Sequence, residues 1–309
     1  MFIKPRLEPL ELLILRSLNN RMELLDKEKN YYNNVEKGFS GEKKFDEWME
    51  EILNEEWLVL NDLLLESKNS VFQIDSLLIT ADKIYLFEIK NYEGDFYIEA
   101  DRWYTLAGKE ILNPVSQSNR CESLFRSLLH DLGYSYVIES SVVFINNHFS
   151  LYEAPRNLPF VFPTQLHKLR KKLITNKGIL NKKHSKLAKQ LLSLHLKESP
   201  YSRLPPYDYN ALKKGVTCYS CQSFLELSKT KEATVQCHKC GKKEGIHTTI
   251  LRSAKEFNML FPERKMTTNE IYEWCKGIRS KRLIRKILME KYKLNGLGKG
   301  AYFIKNEGE

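Results

Sequence analysis

Apolar residues recur along this chain first at helical and then at strand spacing. Leu10, Leu12, Leu13, Leu15 and Leu18 make an apolar stripe, so residues 1–38 read as a helix followed by a polar, loop-like connector, KEKNYYNN. Phe45, Trp48, Met49 and Ile52 recur at spacings of three and four. They predict an amphipathic helix over 40–55 that Ser40 can cap. Three β-rich runs follow: WLVLNDLLL at 57–65, VFQIDSLLIT at 71–80 and KIYLFEIKN at 83–91. Short strands are expected at 96–98 and 103–106, a helix over 115–132 after Asn113-Pro114, and a strand over 135–146. The order helix, three strands, helix, strand predicts a mixed α/β fold.

The second half changes character. Residues 164–199 hold two basic amphipathic helical segments, and the Pro-rich stretch 199–209, with Pro200, Pro205 and Pro206, reads as a linker. A cysteine-rich module follows at 210–250, then helix, helix, turn and strand over 266–305. There is no internal repeat or low-complexity tract. The expected division is an N-terminal helical extension (1–37), an α/β domain (38–160), a basic helical segment with linker (161–209), the cysteine module (210–250) and a C-terminal helical region (251–309).

Charge sharpens that division. The chain carries net charge +10, and it sits at one end: residues 201–309 hold 22 Lys and Arg against 11 Asp and Glu, while residues 1–200 hold 27 against 28. A basic third suits a polyanion such as DNA, and equally a solvated face with no partner. No apolar run approaches the roughly 20 residues that cross a bilayer. Glu8 and Glu11 interrupt the N-terminal apolar stretch and no small-residue cleavage site follows. The expectation is therefore a cytoplasmic protein without membrane association. No obligatory protein partner is evident, and oligomeric state is open.

Asp75, Glu88 and Lys90 lie inside apolar β runs, where charge opposes burial. If Ala81-Asp82 forms a two-residue turn, paired positions place Thr80 opposite Lys83, Ile79 opposite Ile84 and Asp75 opposite Glu88. Lys90, two residues after Glu88, shares its face. Facing carboxylates repel unless a cation or proton joins them. Two hard oxygen donors beside an ammonium suit Mg²⁺ or Mn²⁺ and phosphodiester hydrolysis. A structural Asp/Glu/Lys network at a sheet edge accounts for the same three residues.

Several motifs occur in a familiar order: Gly41-Glu42, FQIDSLLIT, IYLFEIKNYEGD, Asn113-Pro114-Val115-Ser116-Gln117 and VVFIN. Over about residues 38–150 the chain resembles the nuclease-related domain, NERD, a family placed in the restriction-endonuclease-like PD-(D/E)xK superfamily. With its tail, the whole chain is similar to Bacillus-type proteins carrying that domain. The resemblance implies that Asp75 and Glu88 are metal ligands and Lys90 the catalytic lysine. It further implies that Glu42 approaches the site as another acid and Gln117 as a polar orienting group. Ile74 stands where the superfamily pattern has proline before the aspartate. Taken singly, Glu42 also reads as a solvated first-turn acid and Gln117 as an exposed helix residue.

Cys218-x₂-Cys221 is followed after 15 residues by Cys237-x₂-Cys240, the spacing of a four-cysteine zinc ribbon with a structural Zn²⁺. His238 and His247 read as spectators, because four thiolates complete a tetrahedral site. Further on, Thr267-x-x-Glu270 opens one helix, Lys276-Gly277 breaks it, and Ser280 caps a second, on which Lys281, Arg282, Arg285 and Lys286 form a basic face. Between Lys276 and Lys305 there are ten basic residues and one acid, Glu290. The pattern fits a helix-turn-helix with a small wing for DNA, and also a plain helical hairpin. The expected function is divalent-metal-dependent cleavage of DNA, with the basic end positioning substrate. The alternatives are a DNA-binding regulatory or processing protein with a silent nuclease fold, and an RNA-directed nuclease.

Overall fold

A computed structural model describes the chain except residues 55, 176–177, 198–201, 227–232 and 306–309. In chain order it runs β1 (Phe2–Lys4), α1 (Leu10–Arg21), α2 (Asp26–Ile52), β2 (Leu58–Ser67), β3 (Ser70–Ile79), β4 (Lys83–Lys90), β5 (Gly94–Glu99), β6 (Arg102–Thr105), β7 (Glu110–Ile111), α3 (Pro114–Asp131), β8 (Val137–Phe144), β9 (Phe149–Tyr152) and β10 (Phe160–Val161). There follow α4 (Leu166–Thr175), α5 (Lys182–Leu194), β11 (Thr234–Gln236), β12 (Lys243–Gly245), α6 (Ile246–Leu260), α7 (Thr268–Trp274), α8 (Lys281–Lys291), β13 (Tyr292–Asn295) and β14 (Tyr302–Lys305). The chain divides into two units, residues 1–8 with 33–202 and residues 9–32 with 203–309. Ser199 and Pro200, which open the expected linker, lie outside the described residues.

The first unit is a mixed α/β fold. Its main sheet has the order β1-β2-β3-β4-β8-β10. β2, β3 and β4 are antiparallel neighbours, whereas β1 on β2, β8 on β4 and β10 on β8 run parallel. One face buries Leu60, Leu77 and Leu86 with Phe125 of α3 and Leu187 of α5. The other buries Val59, Tyr85 and Phe87 with Phe45 and Met49 of α2 and Leu173 of α4. Helices therefore cover both faces, which is why β2 to β4 read as nearly continuous apolar runs. A second sheet, β7-β6-β5-β9, packs Trp103 and Phe149 against Phe144.

The second unit gathers α1, the cysteine module and α6 to α8 around Phe257, Ile271, Trp274 and Ile284. Arg21 sits at its centre with 2% of its surface exposed. Its guanidinium makes a two-oxygen contact with Glu256 (2.9 and 2.6 Å) and donates to the carbonyls of Lys213 (2.7 Å) and Gly215 (3.0 Å). It also lies 4.0 Å from the ring centre of Trp274, a cation–π contact. After α7, Gly277 at φ +69 donates to the carbonyl of Tyr272 and ends the helix. Ser280 caps α8 by accepting from Leu283, and β13 and β14 pair as a hairpin.

Two expectations near the N-terminus are corrected. The Leu10–Leu18 stripe does form α1, but Phe2–Lys4 is a strand beside β2, and the run KEKNYYNN is no connector: it lies inside a continuous α2. The polar run is helical because it has partners: Glu28 accepts from the Leu25 amide (2.9 Å), capping the first turn, and the Tyr31 hydroxyl donates to Glu11 (3.0 Å). Helix α6, which the sequence reading did not separate from the cysteine module, supplies much of the second core.

Candidate active site

The turn between β3 and β4 fixes everything downstream. Ile79 faces Ile84 and Ser76 faces Phe87, the register expected from a two-residue turn at Ala81-Asp82. Those turn residues are poor hairpin formers, and Thr80 compensates. Its hydroxyl donates to the Lys83 carbonyl at 2.9 Å, alongside the Thr80 amide at 2.9 Å.

That register carries Asp75 and Glu88 to the same level, where the ladder stops. Toward β2, Asn61 faces Ser76 and Leu63 faces Ile74, while Asp62, in the left-handed region at φ +53, forms no regular pair with Asp75. Toward β4 the regular ladder ends at Ser76 and Phe87. Asp75 thus has no regular register partner on either side. Its carboxylate accepts instead from the Ile89 amide (2.8 Å), and its carbonyl accepts from Arg6 Nη2 (2.7 Å). The carbonyl thus has a side-chain donor, as a buried backbone acceptor requires.

Lys90 completes the cluster. Its Nζ donates to Glu88 Oε1 (2.7 Å) and to Gln117 Oε1 (3.0 Å). Gln117 reaches it from the first turn of α3, where Pro114 occupies the first helical position and the Asn113 side chain caps by accepting from Val115 (2.9 Å). Glu42 comes from α2, and the residue before it explains how. A Cβ on Gly41 would meet Asn91 Cβ at 2.4 Å, closer than real atoms approach. Glycine lets the end of β4 lie against the helix, and Asn91 then donates to the Lys37 carbonyl (2.8 Å). The five residues singled out, Asp75, Glu88, Lys90, Glu42 and Gln117, all belong to the first unit.

Residues that sequence reasoning missed hold the cluster from the other side. Arg6, its side chain 2% exposed, donates from Nη1 to Glu42 (2.6 Å) and from Nε and Nη2 to both oxygens of Asp46 (2.9 and 3.2 Å). Lys4 donates to the carbonyls of Asn61 (2.9 Å) and Asp62 (2.8 Å). Neither carries a motif; each is brought in by β1 pairing with β2, a contact more than fifty residues distant in sequence.

Crowding of carboxyls away from water sets the electrostatics. Burial, reinforced by the Asp75 charge and opposed by Lys90, pushes Glu88 up to about 7. Burial and Asp75, against the pull of Arg6, push Glu42 up to about 8. Burial likewise raises Asp75, against Lys90 and the Ile89 amide. Burial acts to lower Lys90, but Glu88 and Asp75 outweigh it and hold the ammonium charged. A carboxyl with its folded pKa above the ordinary 4.5 stabilises the fold below that value and loses that contribution as pH rises through the folded pKa. Without added divalent metal, the first unit is expected to melt at progressively lower temperature between pH 4.5 and about 8. Thermal melts at matched ionic strength check this: Glu88→Gln should flatten the slope, and an unchanged slope would contradict the assignment.

The four cysteines converge in the second unit. The sulfurs of Cys218, Cys221, Cys237 and Cys240 all lie within 4.8 Å of one another. Cys218 and Cys240 are 3.6 Å apart, and Cys221 and Cys237 3.5 Å. Four thiolates on a tetrahedral zinc, with Zn–S of about 2.3 Å, stand about 3.8 Å apart, so the donor set fits that ion. The β11–β12 hairpin carries one pair and the Thr217–Phe224 bridge carries the other. His247 sits elsewhere, against Glu290 (2.5 Å). Lys281, Arg282, Arg285 and Lys286 are all exposed along α8, opposite the buried Ile284, Ile287 and Leu288. Among the described residues no helix is long and apolar enough to cross a membrane.

Residues 37–145 match the family model of the nuclease-related domain, from within α2 to the end of β8. No curated protein matches the chain. Among solved structures, the crystal structure of protein VC1899 from Vibrio cholerae is similar at 12% identity over 53% of this chain, with a TM-score of 0.26. The match spans 41% of that protein's length.

Proposed function

We propose that the first unit is a divalent-metal-dependent deoxyribonuclease and that the basic second unit positions its DNA. The observation that carries this reading is the Lys90 ammonium held between Glu88 and Gln117, beside an Asp75 carboxylate that has left the sheet ladder. Two crowded, hard oxygen donors with raised pKa values are a donor set that Mg²⁺ or Mn²⁺ relieves, so the residues fit the ion the family implies. Asp75 and Glu88 would hold it. When bound, such an ion polarises the phosphate and lowers the pKa of a coordinated water. Lys90 places positive charge where the phosphate accumulates negative charge. Gln117 fixes the direction of that ammonium, and Glu42 adds a third carboxylate from α2.

In the second unit, the four cysteines hold a structural Zn²⁺ within residues 210–250. Helices α7 and α8 with the β13–β14 hairpin form a winged helix-turn-helix over residues 251–309. Lys281, Arg282, Arg285 and Lys286 meet phosphates there, giving affinity that falls with salt.

Purified full-length chain should nick supercoiled plasmid with Mg²⁺ or Mn²⁺, and Asp75→Asn should lower the rate at least about a hundredfold, roughly 2.7 kcal/mol of barrier. Equal rates for wild type and variant would end the enzymatic reading and leave a DNA-binding protein with a silent site. Preferential cleavage of single-stranded RNA over plasmid would reassign the substrate.

A further inference from the structure

Arg6 lies outside the residues that match the nuclease-related domain, yet its guanidinium is the most enclosed charge beside the cluster. It spans three acceptors supplied by two elements: Glu42 and Asp46 on α2, and the Asp75 carbonyl on β3. That carbonyl belongs to a residue with no regular register partner on either neighbouring strand. Glu42 and Asp46 are one helical turn apart, facing the same way, and the flat guanidinium fork matches their spacing.

We propose that Arg6 is a positioning residue that serves as a built-in second cation, so that the site takes one divalent ion and not two. The proposal rests on the nuclease reading above. Its argument is charge and space. Glu42, Asp46, Asp75 and Glu88 supply four carboxylates; Arg6 donates to those of Glu42 and Asp46 and Lys90 to that of Glu88, two fixed cations in all. With every carboxylate ionised, two negative charges stay unmatched, the charge of one Mg²⁺ or Mn²⁺. Asp62 adds nothing to that deficit, since Lys4 lies 3.8 Å from its carboxylate. The α2 side of the cluster, where a second ion would bridge Glu42 and Asp46, is occupied by the guanidinium itself. An organic cation in this place holds Glu42 toward Asp75 whether or not metal is bound, and keeps the acids from closing around a second ion.

The test counts metal. Zinc-loaded, full-length wild type, Asp75→Asn, Arg6→Met and Arg6→Lys are titrated with Mn²⁺, bound ion is read by electron paramagnetic resonance, and nicking is measured at saturating Mn²⁺. Wild type is expected to bind one Mn²⁺ that Asp75→Asn abolishes. Arg6→Met should admit a second equivalent and nick at least about tenfold slower. Arg6→Lys should restore the single ion but only part of the rate, because an ammonium supplies the charge without spanning three acceptors. Two Asp75-dependent ions in wild type, or one ion and full rate in Arg6→Met, would overturn the proposal while leaving the nuclease intact. If Arg6→Met does not fold, Arg6→Lys decides: one ion with a reduced rate supports the assignment, and wild-type rate removes it. Wild type that neither binds Mn²⁺ nor nicks would defeat the nuclease reading and this proposal together, a result distinct from the others because no variant gives a signal.

Discussion

Cys218→Ser is expected to abolish the zinc binding proposed for the four cysteines and to unfold the cysteine module. The four sulfurs are already gathered within 4.8 Å, and between the two pairs the described backbone offers only the Thr217–Phe224 bridge and a three-residue hairpin. Elements that short do not persist without a cross-link. Structural zinc contributes roughly 10–16 kcal/mol of apparent binding energy at neutral pH, and in such modules it is folding energy. Serine removes one thiolate and leaves three, which is an open site of far lower affinity. The loss should spread, because Val216 is fully buried in the second unit's core and Leu225 and Val235 pack against it. Metal analysis should find zinc falling from one equivalent to near none, and hydrogen exchange should show lost protection over 216–226 and 233–245. Cys121→Ser is the control, since Cys121 sits in the first unit beside the Gln73 carbonyl and should leave zinc untouched. Full zinc retention in Cys218→Ser would refute the ligand assignment.

Arg21→Met should destabilise the second unit by about 3–5 kcal/mol, the usual result of removing one partner of a buried ion pair. Methionine keeps the stem and removes the charge. Glu256 is then left with an unmatched carboxylate, and the carbonyls of Lys213 and Gly215 lose their donor. The stacking of Arg21 on Trp274 is lost as well. The melting temperature of that transition should fall by roughly 10 °C or more. Arg21→Met with Glu256→Gln should recover part of the loss, because the second change removes the stranded charge. A double variant no better than Arg21→Met would show that the pair itself contributes little and that packing on Trp274 dominates.

Much of the first unit could be read from local pattern. The β3–β4 register follows from counting through a two-residue turn, and it brought Asp75 level with Glu88 without any long-range information. The α3 start followed from Asn113-Pro114, because cap and first-turn chemistry are contiguous in sequence. Cysteine spacing identified the four-cysteine cluster for the same reason. What stayed hidden was non-local. Phe2–Lys4 is three residues long and becomes a strand only beside β2. No motif marks Arg6 or Arg21, and their partners lie 36 to 235 residues away. The polar stretch at the start of α2 has too few apolar positions to announce a helix, and its order comes from Glu28 and the Tyr31–Glu11 contact.

The contact of Gly41 with Asn91 has a consequence for how this sequence can vary. A side chain at 41 collides with Asn91, and a smaller residue at 91 gives up the amide that ties β4 to the Lys37 carbonyl. The two positions are therefore free to change only as a pair, one gaining the volume that the other yields. In a collection of functional descendants, single replacements at 41 should be purged while compensated exchanges at 41 and 91 survive. That pairing would mark lineages that still need Glu42 at its present depth, and its breakdown would mark those that have abandoned the site.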